Sequence, residues 1–315
     1  MNFDWHEIAF NSKKPINVLK PIFIAAPREI SAKRFKELIK TYLPKGNILL
    51  GIAKEKYIDG FEGQQQFRTL RLDEVQAVIN KVNKASKKNK IATLSYNQRE
   101  LKYIIEALDF THVVLINGSW KYVFHSSKAF YEITKKQLPY TYISPFASEQ
   151  EAKEYEAQYR DELKFKIGPY TAEEMLAIAA TVAELSYDNS FQTGAVLGKK
   201  RGLKYAYVTS AFNKVVPYQT YAFHHGNQRE KNFSAPHDLN FYDTIHAETS
   251  ILIQALKKKL QLANTTLFIN LLPCPSCARM LTQTDIKEVV YSVDHSDGYA
   301  VRLLEEAGKK VRRLL

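Results

Sequence analysis

Two cysteines are all this chain possesses, Cys274 and Cys277, and they stand inside the run PCPSC at 273–277, downstream of the run HAE at 246–248. A pair separated by two residues makes a poor disulfide framework, and in a reducing compartment it reads as half of a metal site. If His246 completes the set, the chain between them must fold so that one imidazole returns to two thiols. Three ligands of this kind leave the fourth tetrahedral position on zinc open to water, which is the arrangement of a catalytic rather than a structural site. A structural zinc site would ordinarily take four protein ligands, and the sequence offers no third cysteine. Glu248, two residues beyond the histidine, can reach the bound water without ligating the metal. A redox pair is the competing reading of C-x-x-C; Pro273 and the matching H-x-E speak against it.

The H-x-E and P-C-x-x-C signature resembles that of the zinc-dependent cytidine and deoxycytidylate deaminase superfamily. The likeness covers roughly residues 171–315. Gln192 to Val196 resembles the family's first strand, and Ala211-Phe212-Asn213 a strand end that carries a substrate-contacting Asn. Ile286 to Tyr291 and Leu303 to Gly308 resemble the later strand and helix of deoxycytidylate deaminases. The resemblance implies one zinc ion per chain on His246, Cys274 and Cys277, a zinc-bound hydroxide as nucleophile, and Glu248 as proton shuttle. It also implies that Asn213 contacts sugar or base, that Thr193 lies beside the ring, and that the backbone N–H of Ala247 faces the base's carbonyl. One departure is Asn270, where the family often has Thr. The other is a long excursion between Lys214 and Thr244, whose His224, His225, Arg229 and Lys231 suit a 5'-phosphate. That stretch serves equally well as an oligomer contact.

The whole chain sets wider bounds. Its 315 residues are ample for two domains, and 45% hydrophobic with 25% charged residues is a globular balance. No apolar run reaches the roughly 18 residues that a membrane span needs, and the first ten residues carry acidic side chains where a secretion signal is basic. The expectation is a cytoplasmic protein without a membrane partner. The formal charge of +12 is concentrated in residues 1–150, which hold 24 Lys and Arg against 14 Asp and Glu. Such a face draws polyanions, including nucleic acid, although a solvated surface is the plainer reading.

Read along its length, the chain divides into residues 1–147, a charged linker helix at 148–168 and a deaminase domain at 169–315. The first part alternates apolar runs with helix-like segments, as expected of a small Rossmann-like α/β domain. Its expected strands are 18–25, 48–53, 91–94, 113–116 and 121–124, and its helices 31–42, 73–85 and 97–108. No glycine-rich phosphate loop stands at any strand end. Ser148 to Glu151 and Thr171 to Glu174 are capping-box patterns, each opening a helix. The second part is expected to be a three-layer α/β/α domain with a mixed sheet.

These features favour deamination of a free nucleotide, dCMP to dUMP first, with a homo-oligomer as the expected assembly. Three other readings remain at this point: a deaminase acting on a base in tRNA or single-stranded DNA, an adenine nucleotide deaminase, and a non-enzymatic regulator that retains the zinc fold. The unrecognised first domain suggests regulation for nucleotide-pool control or antiphage defence.

Overall fold

A computed structural model describes residues 16–26, 30–55, 72–118, 121–188, 191–226, 244–294 and 298–315. The chain forms two compact units: Met1–Glu154 with Thr220–Gln228, and Tyr155–Gln219 with Arg229–Leu315. No helix among the described residues is long and apolar enough to cross a membrane.

The first unit contains α1 (Ile16–Leu19), β1 (Ile22–Ala26), α2 (Ala32–Tyr42), β2 (Ile48–Ala53), α3 (Leu72–Ala85), β3 (Ile91–Tyr96), α4 (Leu101–Ala107), β4 (His112–Ile116), α5 (Lys121–Phe124), α6 (Lys128–Lys135) and β5 (Tyr140–Ile143). A charged helix, α7 (Glu149–Glu162), follows. Its start is fixed by the expected cap: the Glu151 N–H donates to Ser148 Oγ at 3.3 Å, and the Ala147 N–H donates to the Glu151 carboxylate at 2.8 Å.

The five strands are all parallel, in the order β3-β2-β1-β4-β5. All six residues of β2 are buried, because helices cover both faces of the sheet. Alternate side chains divide between the two cores. Ile22 and Ile24 join Phe35, Leu38, Val75 and Ile79 from α2 and α3, whereas Phe23 and Ala25 join Leu101, Ile104 and Ile133 from α4 and α6. Three details differ from the sequence reading. Val18 and Leu19, expected to open the first strand, end the short helix α1, and the strand begins at Ile22. Residues 121–124 are helical, since four residues are too few for periodicity to separate the two states. The fifth strand is instead Tyr140–Ile143, an edge strand with its first two residues exposed.

The second unit contains α8 (Ala172–Ala183), β6 (Gly194–Arg201), β7 (Lys204–Phe212) and the short β8 (Lys214–Val215). Then come α9 (Tyr221–His225), which belongs to the first unit, and β9 (Thr244–Ile245), α10 (Ala247–Lys258), β10 (Thr265–Leu271), α11 (Pro275–Thr282), β11 (Glu288–Val293), α12 (Tyr299–Glu306) and β12 (Lys310–Arg313). Thr171 caps α8 as its sequence pattern requires, taking the Glu174 N–H at 3.2 Å while the Glu174 carboxylate accepts from the Thr171 N–H at 2.7 Å.

The main sheet of this unit is mixed, in the order β12-β11-β10-β6-β7. The β10–β11 and β11–β12 pairs are parallel, and the pairs of β6 with β10 and β7 are antiparallel. On one face Met175, Ile178, Ala179 and Val182 of α8 meet Val196, Phe268 and Val290. On the other, Ala247 and Ile251 of α10, Ala278 and Leu281 of α11, and Ala300 and Leu304 of α12 cover Leu197, Leu267, Ile269 and Val289. This is the expected three-layer domain, and it places the first turns of α10 and α11 at one end of the sheet.

Candidate metal centre

His246 is the N-cap of α10, in extended backbone directly after β9, which pairs with β8. Cys274 is the N-cap of α11, with Pro275 in the first helical position. That proline costs nothing there, because its missing N–H would have found no partner within the helix. The Cys277 N–H points back to Cys274 Sγ at 3.5 Å, so the residue that starts the helix also orients its own second thiol.

Two helix N-termini therefore converge on one point. Nδ1 of His246 lies 3.5 Å from Cys274 Sγ and 3.4 Å from Cys277 Sγ, and the three atoms lie within 4.8 Å of one another. Bond lengths of about 2.0–2.3 Å on a tetrahedral zinc require ligand atoms roughly 3.5 Å apart, so the three donors fit one such ion. Their chemistry fits as well: one imidazole and two thiols suit zinc, and the helix ends favour thiolates. The Cys274 thiol is drawn down to about 3, chiefly by the hydrogen bond from Cys277 and, against the cost of burial, by His246. Cys277 is pushed upward by that same sharing of a proton and by burial.

Glu248 occupies the second position of α10 and is 2% exposed. Burial pushes its carboxyl up to about 7, opposed by His246, the backbone and a hydrogen bond with Cys277. A carboxyl set there exchanges protons near neutrality, which is what a general acid–base needs. Thr249, which the sequence gave no reason to single out, places its hydroxyl 4.0 Å from Cys277 Sγ.

The residues expected around the base are brought together, but their polar atoms are engaged with one another. Asn213 is 2% exposed; its Oδ1 accepts the Ala247 N–H at 2.9 Å, and its Nδ2 donates to the Phe191 carbonyl at 2.9 Å. The Ala247 N–H that was expected to face a substrate carbonyl thus has a protein partner. Thr193 is buried, with its carbonyl accepting from the Asn213 N–H. Asn270 spans two strands: its Oδ1 accepts the Gly194 N–H, and its Nδ2 donates to the Gln192 carbonyl, both at 2.9 Å. It stitches β10 to the start of β6.

Of the four residues expected to bind phosphate, His224 and His225 fall within the described structure. His224 lies within the first unit, where Nδ1 is 2.7 Å from Ser144 Oγ and Nε2 is 2.8 Å from the Glu149 carboxylate, so neither ring nitrogen is left for a phosphate. His225 is exposed, with its ring 4.4 Å from that of Tyr221. Arg229 and Lys231 lie outside the described residues.

The second unit contains a stretch that is similar to proteins of known family. Residues 169–293 match the model of the cytidine and deoxycytidylate deaminase zinc-binding region. The match covers less than half of the chain and contains every residue of the metal centre. The deoxycytidylate deaminase of Schizosaccharomyces pombe is 33% identical over 72 residues, which make up 22% of each chain. That of Enterobacteria phage T2 is 33% identical over 58 residues, 18% of this chain and 31% of the phage protein. The chain thus matches less than a third of the length of these curated relatives. Among solved structures, the dCMP deaminase of cyanophage S-TIM5 in complex with dCMP and dUMP covers 45% of this chain and 95% of its own, at 20% identity and a TM-score of 0.36.

Proposed function

We propose that the chain is a zinc-dependent hydrolytic deaminase of a free nucleotide, converting dCMP to dUMP. The observation that carries this reading is Glu248, a buried carboxyl beside a site with three protein ligands and no fourth among the described residues. A structural metal has no use for a carboxyl there. Zinc in this site would supply water that ionises near neutral pH. The remaining work falls to the chain. Water adds at C4 of the base, the C4–N bond breaks, and the amine leaves as ammonia. Glu248 takes a proton from the attacking water, hands it to the ring nitrogen, and later protonates the departing amine. The first turn of α11 holds the two thiolates, and the start of α10 holds His246 and Glu248, through this cycle. Similarity to two deoxycytidylate deaminases supports the cytosine monophosphate over other bases.

The test is ammonia release by the zinc-loaded protein from a panel of cytosine and adenine nucleosides, mono- and triphosphates, tRNA and oligonucleotides. Turnover of dCMP above all others supports the reading. Turnover confined to polynucleotides, with affinity falling steeply as salt rises, would move the substrate class to nucleic acid.

A second proposal concerns the first unit: it binds a small-molecule effector. In open parallel sheets ligands settle beyond the carboxyl ends of the strands, where the strand order reverses, here between β1 and β4. Asn117 directly follows β4, is 3% exposed, and has an Oδ1 with no partner among the described residues. Tyr96, the last residue of β3, is fully buried with its hydroxyl in the same condition. Buried polar atoms of this kind are rare in native proteins, and a ligand is one way to satisfy them.

A further inference from the structure

We infer that Asp188 is a positioning residue for the metal centre, acting on His246 from both sides through Asn213 and Thr244; the part of this inference that concerns turnover rests on the deaminase reading above. Asp188 is fully buried in the segment between α8 and β6, and nothing in the motif chemistry uses it. Among the described residues, three donors converge on its two oxygens. Oδ1 accepts the Phe191 N–H at 3.2 Å, and Oδ2 accepts Asn213 Nδ2 at 3.4 Å and the Thr244 hydroxyl at 3.2 Å.

The two side-chain donors bracket the histidine. Thr244 lies in β9, two residues before His246, and Asn213 holds the N–H of Ala247, the residue after it. An amide can be turned either way, and only one orientation serves here. Turned over, Asn213 would present an N–H to the Ala247 N–H. Two acceptors, the Phe191 carbonyl and Asp188 Oδ2, face Nδ2 and fix the required orientation.

The backbone of this joint is held as well. Ser186 Oγ donates to the Asn213 carbonyl at 2.8 Å and accepts the Asp188 N–H at 3.1 Å, while the Asn213 N–H donates to Thr193. Asp188 thus sets the orientation of the turn His246-Ala247-Glu248, and with it the aim of His246 Nδ1 at the thiols and the depth of Glu248. Outer partners of metal ligands typically carry about ten- to a hundredfold in affinity or activity.

The experiment compares the full-length wild type with Asp188→Asn, Thr244→Val and Thr244→Ser. The readings are zinc affinity by competition with a chelator, the visible spectrum of the cobalt-substituted protein, melting temperature, and kcat and KM for dCMP. Asp188→Asn keeps the side-chain volume but sets an NH2 against at least one of the three donors. We expect about ten- to a hundredfold weaker zinc, a shifted cobalt spectrum, and a fall in kcat with KM nearly unchanged. Thr244→Val should shift the same readings in part, and Thr244→Ser should restore them. Should Asp188→Asn fail to fold, the Thr244 pair decides alone. A lower melting temperature with unchanged zinc affinity, cobalt spectrum and kcat would reduce Asp188 to a core residue and overturn the inference. The metal readings need no substrate: if the wild type released no ammonia from any nucleotide while zinc affinity still fell, the deaminase reading would fail and the role of Asp188 would stand.

Discussion

Gly194 shows at the scale of one residue how tightly the site's scaffold is closed. It opens β6, and a Cβ added there would collide with the Ala179 carbonyl oxygen and lie 2.6 Å from the Ala183 backbone nitrogen. Those atoms belong to α8, so neither can swing aside as a side-chain tip would. Gly194→Ala should therefore cost at least about 1–3 kcal/mol, measured by denaturant unfolding, because strand and helix must separate. An unchanged midpoint would show that the helix yields freely. The neighbouring Asn270 is the departure from the family pattern noted in the sequence, and its role is visible only in three dimensions, where it bonds to both Gln192 and Gly194. The ligand set was legible because spacing alone selects it: the only two cysteines, a proline before them and an H-x-E upstream. The partners of Asn213 were not, because Asp188 and Phe191 lie in one segment and Ala247 in another, each more than twenty positions from Asn213, and no local pattern joins them.

At the scale of elements, the same contrast separates central strands from edges. β2 was readable because both its faces are buried, which leaves a continuous apolar run; β5 was missed because Tyr140 and Thr141 face solvent. At the outer edge of the second sheet a polar cluster does the joining. Glu288 on β11 accepts from Arg312 Nε on β12 at 2.7 Å, from the Thr266 hydroxyl on β10 at 3.1 Å and from the Tyr205 hydroxyl on β7 at 3.4 Å. Burial alone would raise the Glu288 carboxyl, but the hydrogen bond and charge of Arg312 outweigh it and hold the group below its ordinary 4.5. A carboxyl lowered in the folded state contributes stability that is present above that ordinary value and is lost as pH falls through the folded one. Arg312→Met should thus lower the melting temperature at neutral pH, and the gap to wild type should narrow on acidification below about pH 4.5. A gap that stays constant down to about pH 3 would deny the pairing its role.

For the whole molecule, the least legible feature is the chain's excursion between β8 and β9. The sequence placed all of it in the deaminase domain, yet Thr220–Gln228 belongs to the first unit. His224 is held there by Ser144 and Glu149, partners that lie more than seventy positions away and leave no periodic trace. Nucleosides and nucleotides, added singly to the full-length zinc-loaded protein, should raise its melting temperature in at least one case, and Asn117→Leu should abolish that shift while leaving the metal content intact. No shift with any of them, or one that survives Asn117→Leu, would count against a site at that strand end. The central claim is more direct: one zinc on His246, Cys274 and Cys277, with Glu248 moving protons beside it. Zinc content and ammonia release from dCMP, measured together for wild type and Glu248→Gln, test it. The account predicts equal zinc in both proteins and release lowered by at least about a hundredfold in the variant. A wild type that binds no zinc, or a variant that turns over dCMP at the wild-type rate, would contradict it.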